Sequence, residues 1–412
     1  MSDRPAPTTP ASSLNELQFG VHAVDGSSRW NARSRLQAAL NHQEPDRVPC
    51  DLGGSRVTGI HINAYRALRQ SLDLPGTEPT ICDFQQRLAL VEDDVIDALG
   101  VDVKGVNPRS PSTYERVMSD DGEYLSFVDE WGVLRKMPKG GFFYDPVAAP
   151  LSGDITEADV DRFPWPDPSD PARYAGMVEE ARGIAEQGRG VHVASICSGL
   201  TEVFFKIRGF EDGFMDLVAN PALARRIMER ILEIKLAYWE RILPELDGVI
   251  DVAGESDDLG GQDRLLFSPA VYREIVKPLH AQLFDCIHRR SQAKVFLHCC
   301  GAIRELIPDL IETGVDVLNP VQVSATGMDS GALKRDFGRD IVFWGGGVDT
   351  QRVLSLGTPR QVREDVSRHV DDLKPGGGFV FATVHNVQAN VPPENLVAAW
   401  TAFRKHASYG TK

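Results

Sequence analysis

No run of apolar side chains in this chain approaches the roughly 18 residues that a membrane-spanning helix needs, so no membrane partner is expected. Nor does any segment gather Lys and Arg into a stripe. The 44 basic residues are outnumbered by 59 acidic ones, a net charge of −15. A phosphate backbone would be repelled on average, which excludes nucleic acid as an expected partner. Residues 1–28 are rich in Pro, Ser, Thr and Ala and lack both a signal-peptide core and the pattern of a transit peptide. They read as a flexible tail ahead of one domain over 29–412, and the expected location is cytoplasmic. Cysteine is sparse: six residues, at 50, 82, 197, 286, 299 and 300, with no framework spacing. In a reducing compartment these stay thiols, and an adjacent pair beside a histidine points to metal or redox chemistry.

What the sequence does contain is an alternation of short β-branched runs and amphipathic segments. Candidate strands are Arg47 to Leu52, Val101 to Val106, Gly190 to Ile196, Gly248 to Ala253, Ala293 to Leu297, Val315 to Leu318, Ile341 to Trp344 and Gly378 to Thr383. Near-continuous apolar strands of this kind imply a parallel sheet covered by helices. Asn220-Pro221 and Ser268-Pro269 open helical patterns, with Ile227, Ile231, Ile234 and Tyr238 sharing one face of the first. Thr358 to Gln361 combines a capping box with Pro at the first helical position. A further helix is expected over Ala302 to Glu312.

Eight strands fit an α/β fold, a single-domain (β/α)8 TIM barrel with an insertion over about 107–153 that contains a β-hairpin around Asp121-Gly122. A doubly wound open sheet remains the rival architecture, because periodicity does not distinguish the two.

The strongest chemical signal is Phe296-Leu297-His298-Cys299-Cys300-Gly301, at a strand-to-loop junction where a barrel places its functional groups. His298 and Cys300 are two apart, so an extended backbone puts them on one face, and imidazole with thiolate suits zinc. Alternation turns Cys299 away. A core histidine beside a buried cysteine pair would look the same locally. His385, at the end of the last candidate strand, supplies a third ligand if the barrel closes, and three ligands with an open position describe a catalytic zinc. The cluster Glu255 to Gln262 follows the fourth candidate strand. Glu255 and Asp258 are candidate proton carriers and Gln262 a candidate substrate ligand, although an acidic capping loop would read alike. Gly345-Gly346-Gly347 lacks the spacing and lysine of a phosphate loop.

Taken in order, Arg47 to Gly54, Lys206 to Glu211, Asp257-Asp258-Leu259-Gly260, His298 to Gly301, Gly345 to Thr350, His385 to Gln388 and Pro392 to Asn395 resemble the uroporphyrinogen decarboxylase superfamily from about Arg47 to His406. That resemblance implies a (β/α)8 barrel with its site at the C-terminal mouth. The superfamily holds metal-free decarboxylases and also methyltransferases that use zinc and exchange methyl groups with a corrinoid protein. The element at 298–301 is similar to the methyltransferase zinc motif. The porphyrin enzymes carry an arginine-rich motif after the first strand, of which only Arg56 stands here. The methyltransferases use cysteine as third ligand, where this chain has His385.

The sequence therefore predicts a zinc-dependent methyltransferase exchanging a methyl group between a small molecule (ether, thiol or similar) and a corrinoid (cobalamin) borne by a separate protein. The metal ligands would be His298, Cys300 and His385. Glu255 and Asp258 would be catalytic, and Arg56, Gln262 and Asn386 would bind substrate. The insertion is a candidate docking surface for the corrinoid protein, and a homodimer is the default assembly. The alternative is a metal-independent decarboxylase or lyase of a small carboxylated substrate other than uroporphyrinogen, with Arg56 binding the carboxylate.

Overall fold

The computed structural model describes residues 30–74, 76 and 78–410; the tail expected over 1–28 lies outside them. The main sheet starts with β1 (Val103–Val106). A separate four-stranded antiparallel sheet follows, made of β2 (Ser119–Asp120), β3 (Tyr124–Val128), β4 (Leu134–Pro138) and β5 (Asp145–Ala148). Then β6 (Gly190–Ala194), β7 (Val252–Ser256), β8 (Lys294–His298), β9 (Val317–Asn319), β10 (Val342–Trp344) and β11 (Phe379–Val380) complete a seven-stranded sheet. Its strands lie side by side in sequence order, and every neighbouring pair is parallel. This is the α/β arrangement expected. The expected hairpin turns at Gly122, whose φ of 97° suits glycine, but it belongs to a sheet of four strands rather than two.

The first candidate strand, 47–52, pairs only through isolated bridges, yet it fills the gap between the sheet's two edges. Asp51 N–H donates to Phe381 O and Phe381 N–H to Pro49 O, both at 2.8 Å, while Asp102 N–H donates to Cys50 O at 2.8 Å. The sheet is thereby curled on itself into a barrel-like form. Val103, Val252, Phe296, Val317, Val342, Trp344 and Val380 pack inside it.

One carboxylate holds this seam. Asp102, 1 % exposed, accepts from Arg35 Nη1 at 2.6 Å, Arg47 Nη1 at 2.7 Å and Cys50 N–H at 2.8 Å. It joins the closing segment, β1 and the helix Ala32–Leu40 at a single point. Burial and Asp102 together push the Cys50 thiol up to about 12, so this cysteine is inert packing.

The capping signals mark real helices: Pro221–Ile242, and Pro359–Leu373 with its Thr358–Gln361 box. Ser268 starts a helical run that passes through a wide turn at Tyr272–Val276 and ends at Arg290. Two boundaries differ from expectation. The expected helix over 302–312 starts as a 3-10 turn at Arg304–Leu306 and is α-helical only over Ile307–Glu312. The strand expected over Gly248 to Ala253 instead starts at Val252, because Gly248 turns with φ 72°, and it runs on to Ser256. Glu255 therefore lies within a strand, not in the loop after it.

Removing the seam carboxylate leaves the Cys50 N–H unbonded and strips one anion from two arginines, of which Arg35 keeps Asp46 and Arg47 keeps Val48 O and Gly100 O. Asp102→Ala is expected to lower unfolding free energy by about 2–3 kcal/mol in urea titrations, the scale of lost charge-assisted hydrogen bonds. A loss below about 1 kcal/mol would show that the seam does not depend on it.

Candidate functional site

The C-terminal ends of β7, β8 and β9 and the loop after β11 converge on one cluster. His298 is the last residue of β8, and Cys300 follows two positions on with its Sγ 3.2 Å from His298 Nε2. The His385 ring stands 5.2 Å from the His298 ring, centroid to centroid. One ligand atom from each of the three lies within 4.8 Å of the others. Bond lengths of about 2.0–2.3 Å put tetrahedral zinc ligands roughly 3.5 Å apart, so the set fits a zinc ion with small adjustment. Cys299 is fully buried, turned away as alternation requires. The chain turns sharply at Gly301, with φ 95°, where a Cβ would stand 2.4 Å from the Gly260 backbone.

Asn319, at the end of β9, sets the ligand chemistry of His298. Its Nδ2 donates to Trp344 O at 2.9 Å, which leaves its Oδ1 to accept from His298 Nδ1 at 2.6 Å. A neutral ring bonded this way carries its proton on Nδ1 and presents a bare Nε2 toward Cys300. The His385 ring is held neutral: burial and the neighbouring His298 lower its pKa to about 3. Its Nδ1 accepts from Asn386 N–H at 2.7 Å, a contact that the ring must release to offer the metal Nε2. Burial, then Asp258, push the Cys300 thiol well above its usual range, so thiolate forms there only against a cation.

A cavity of about 590 Å³ opens beside this cluster and is lined by His298, His385, Asp258 and Arg56, among others. Arg135 of β4, Trp131 in the turn before it and Tyr144 just ahead of β5 form part of its wall. Asp258 Oδ1 accepts from Cys300 N–H at 2.7 Å and lies 3.9 Å from His298 Nε2. Burial and nearby Glu202 raise the Asp258 carboxyl. Glu202, paired with Lys206 at 3.3 Å and bonded by Ser256 Oγ at 2.8 Å, is drawn down despite its burial. Of this acidic pair, Glu202 is biased toward its charged form and Asp258 toward its protonated form.

Three expected residues are placed differently. Glu255 borders the cavity, but its carboxylate turns outward to the helix Pro221–Ile242, out of phase with inward Gly254 and Ser256. There it accepts from Trp239 Nε1 at 2.6 Å and Ser195 Oγ at 2.9 Å, and forms an ion pair with Lys235 Nζ at 2.7 Å. These contacts tie the Glu255 carboxylate to the wall and its covering helix. Gln262 lies outside the lining, exposed, and bonds Gln322 and Ser324 O, so it braces the turn after Cys300. Asn386 is buried and fully engaged, accepting from Gly59 N–H and donating to Arg56 O and Gln86 Oε1. It positions the Arg56 loop and stands behind the cavity lining. Asp257, which the sequence groups with these, is a structural cap bonded by Thr201 N–H and His280 Nε2.

Sequence reasoning gave no individual role to Lys235, Glu202, Lys206 or Asn319. Lys235 had a signal: a charge beside Ile231, Ile234 and Tyr238 on the apolar face of a helix, fully buried here. Because Asn319 fixes the His298 tautomer, Asn319→Ala is expected to weaken zinc binding by roughly 10- to 100-fold in competition with a chromophoric chelator. Unchanged affinity would remove Asn319 from the site.

Known proteins give the same picture of the fold. A uroporphyrinogen decarboxylase from Alkalilimnicola ehrlichii is 25% identical over 378 residues, spanning 88% of this chain and 91% of that relative. The structure of a methyltransferase from Methanosarcina mazei superposes with a TM-score of 0.62 at 16% identity, over 91% of this chain and 99% of that one. The family described as uroporphyrinogen decarboxylase (URO-D) matches residues 146–406. That match covers more than half of the chain, and this protein belongs to the URO-D family.

Proposed function

We propose that this protein is a zinc-dependent methyltransferase exchanging a methyl group between a small-molecule substrate and a corrinoid carried by a separate protein. The observation that carries the reading is the convergence of His298, Cys300 and His385 on one point beside a cavity. Zinc there would supply Lewis-acid stabilisation of charge at a substrate sulfur or oxygen. Asn319 holds His298 in its ligating tautomer, and Asp258, beside the ligands, takes or returns the substrate's proton. The fold likeness to a methyltransferase supports the (β/α)8 barrel and is compatible with this chemistry. The inserted sheet, which walls the cavity mouth, is the surface on which a corrinoid protein would dock.

The charges in the cavity wall speak against a polycarboxylate substrate. Arg56, Arg135 and Lys206 are its cations, and each faces a carboxylate: Asp83 at 3.8 Å, Asp129 at 2.7 Å and Glu202 at 3.3 Å. Uroporphyrinogen would bring many carboxylates to a wall with no spare cation, and buried unpaired charge is strongly unfavourable. A second reading, decarboxylation of a small carboxylated compound, draws on the looseness of the Arg56 contact and its half-exposed side chain.

Zinc-loaded protein with methylcobalamin and a thiol acceptor is expected to convert the corrinoid to its demethylated spectrum. Cys300→Ser and His298→Ala should slow this by on the order of 100-fold or more, the scale of a lost Lewis acid. Full decarboxylation of a small carboxylated substrate by metal-free protein, with no methyl transfer, would replace this reading with the second.

A further inference from the structure

The floor of the cavity holds a polar group that neither the metal cluster nor the wall uses. His192 sits mid-strand in β6 and lines the cavity together with Ala194, Gly254 and Phe296. The residue is 2 % exposed, and among the described residues neither ring nitrogen has a hydrogen-bond partner. Phe296 meets the ring edge-on, with centroids 5.0 Å apart at 90°, and Trp344 stands 6.4 Å away. Burial lowers the His192 pKa to about 4. The ring is therefore neutral near pH 7, with one nitrogen to donate and one to accept.

The neighbouring strand is shaped around this ring. A Cβ at Gly254 would lie 2.3 Å from His192 Cε1, so β7 gives up a side chain where the imidazole stands. An apolar residue at 192 would fill the same space and leave no polar atom unbonded, which packing alone would favour. Phe296, Ala194 and Gly254 offer those nitrogens no side-chain partner, and the cavity that they line with His192 gives one a route in.

We propose that His192 is the recognition element of a floor subsite that binds an uncharged hydroxyl group of the substrate. A hydroxyl both donates and accepts, so it satisfies either tautomer of a neutral imidazole. A carboxylate would arrive with no cation to meet it, and an ammonium would find apolar Phe296 and Ala194. Phe296 precedes His298 by two residues on β8, so the floor lies one inward layer, about 7 Å, below the candidate metal ligands. A substrate gripped at both levels is a compact ring with its hydroxyl directed away from the reacting atom. Phenol is the simplest probe of that class.

The inference rests on the reading that this cavity receives the substrate. Its test needs neither metal nor corrinoid, so it can fail while methyl transfer succeeds, or the reverse. Calorimetric titration of phenol and of toluene into wild type, His192→Leu and His192→Gln separates the hydroxyl from the ring. Phenol affinity is expected to fall at least about tenfold in His192→Leu and less in His192→Gln, with toluene binding undiminished. If His192→Leu does not fold, the His192→Gln comparison decides. Phenol that fails to bind wild type, or binds every folded variant alike, overturns the proposal.

Discussion

The molecule depends on closing a parallel sheet whose last edge is not a regular strand. Residues 47–52 contribute only isolated bridges, so side chains supply what the ladder does not. Asp102 gathers Arg35, Arg47 and Cys50 N–H at the seam, and inside the barrel Asp51 accepts from Trp344 Nε1 at 3.0 Å. Both contacts tie the first segment to strands far away in sequence. Only when this seam is shut do His385, beyond the last strand, and Arg56, beyond the first, face the same cavity as His298.

The site follows from that closure. Strand alternation aims His298 inward, a glycine turn brings Cys300 back beside it, and Asn319 from the adjacent strand fixes the tautomer. A layer further out, Lys235 and Glu255 form a buried ion pair between β7 and its covering helix. That pair stabilises the wall where the acidic residues stand, and it leaves Asp258 as the carboxyl nearest the cluster. The connections of the four-stranded sheet complete the enclosure through Trp131 and Tyr144.

Much of this was legible in the amino-acid sequence because it depends on local periodicity. The strand ending in His298, the two-residue spacing to Cys300 and the Pro-started helices are short-range patterns with short-range causes. What escaped depends on phase and on long-range pairing. A strand running from Val252 to Ser256 takes Glu255 out of the loop in which the sequence placed it, and no local pattern reveals that Asn386 spends its amide on Gly59, Arg56 and Gln86. Asn319 was invisible for the same reason, since its partners His298 and Trp344 lie 21 and 25 residues away. Lys235 is the exception: a lysine on an apolar helix face asks for a buried partner, and Glu255 is that partner.

The central claim is that His298, Cys300 and His385 together hold one metal ion. The most direct measurement is zinc K-edge X-ray absorption on tag-free protein loaded to stoichiometry, wild type beside His385→Ala. The account predicts one zinc per chain with one sulfur and two imidazole nitrogens among its ligands, and loss of one imidazole in the variant. Protein that retains no zinc, or a wild-type spectrum identical to that of the variant, would contradict it.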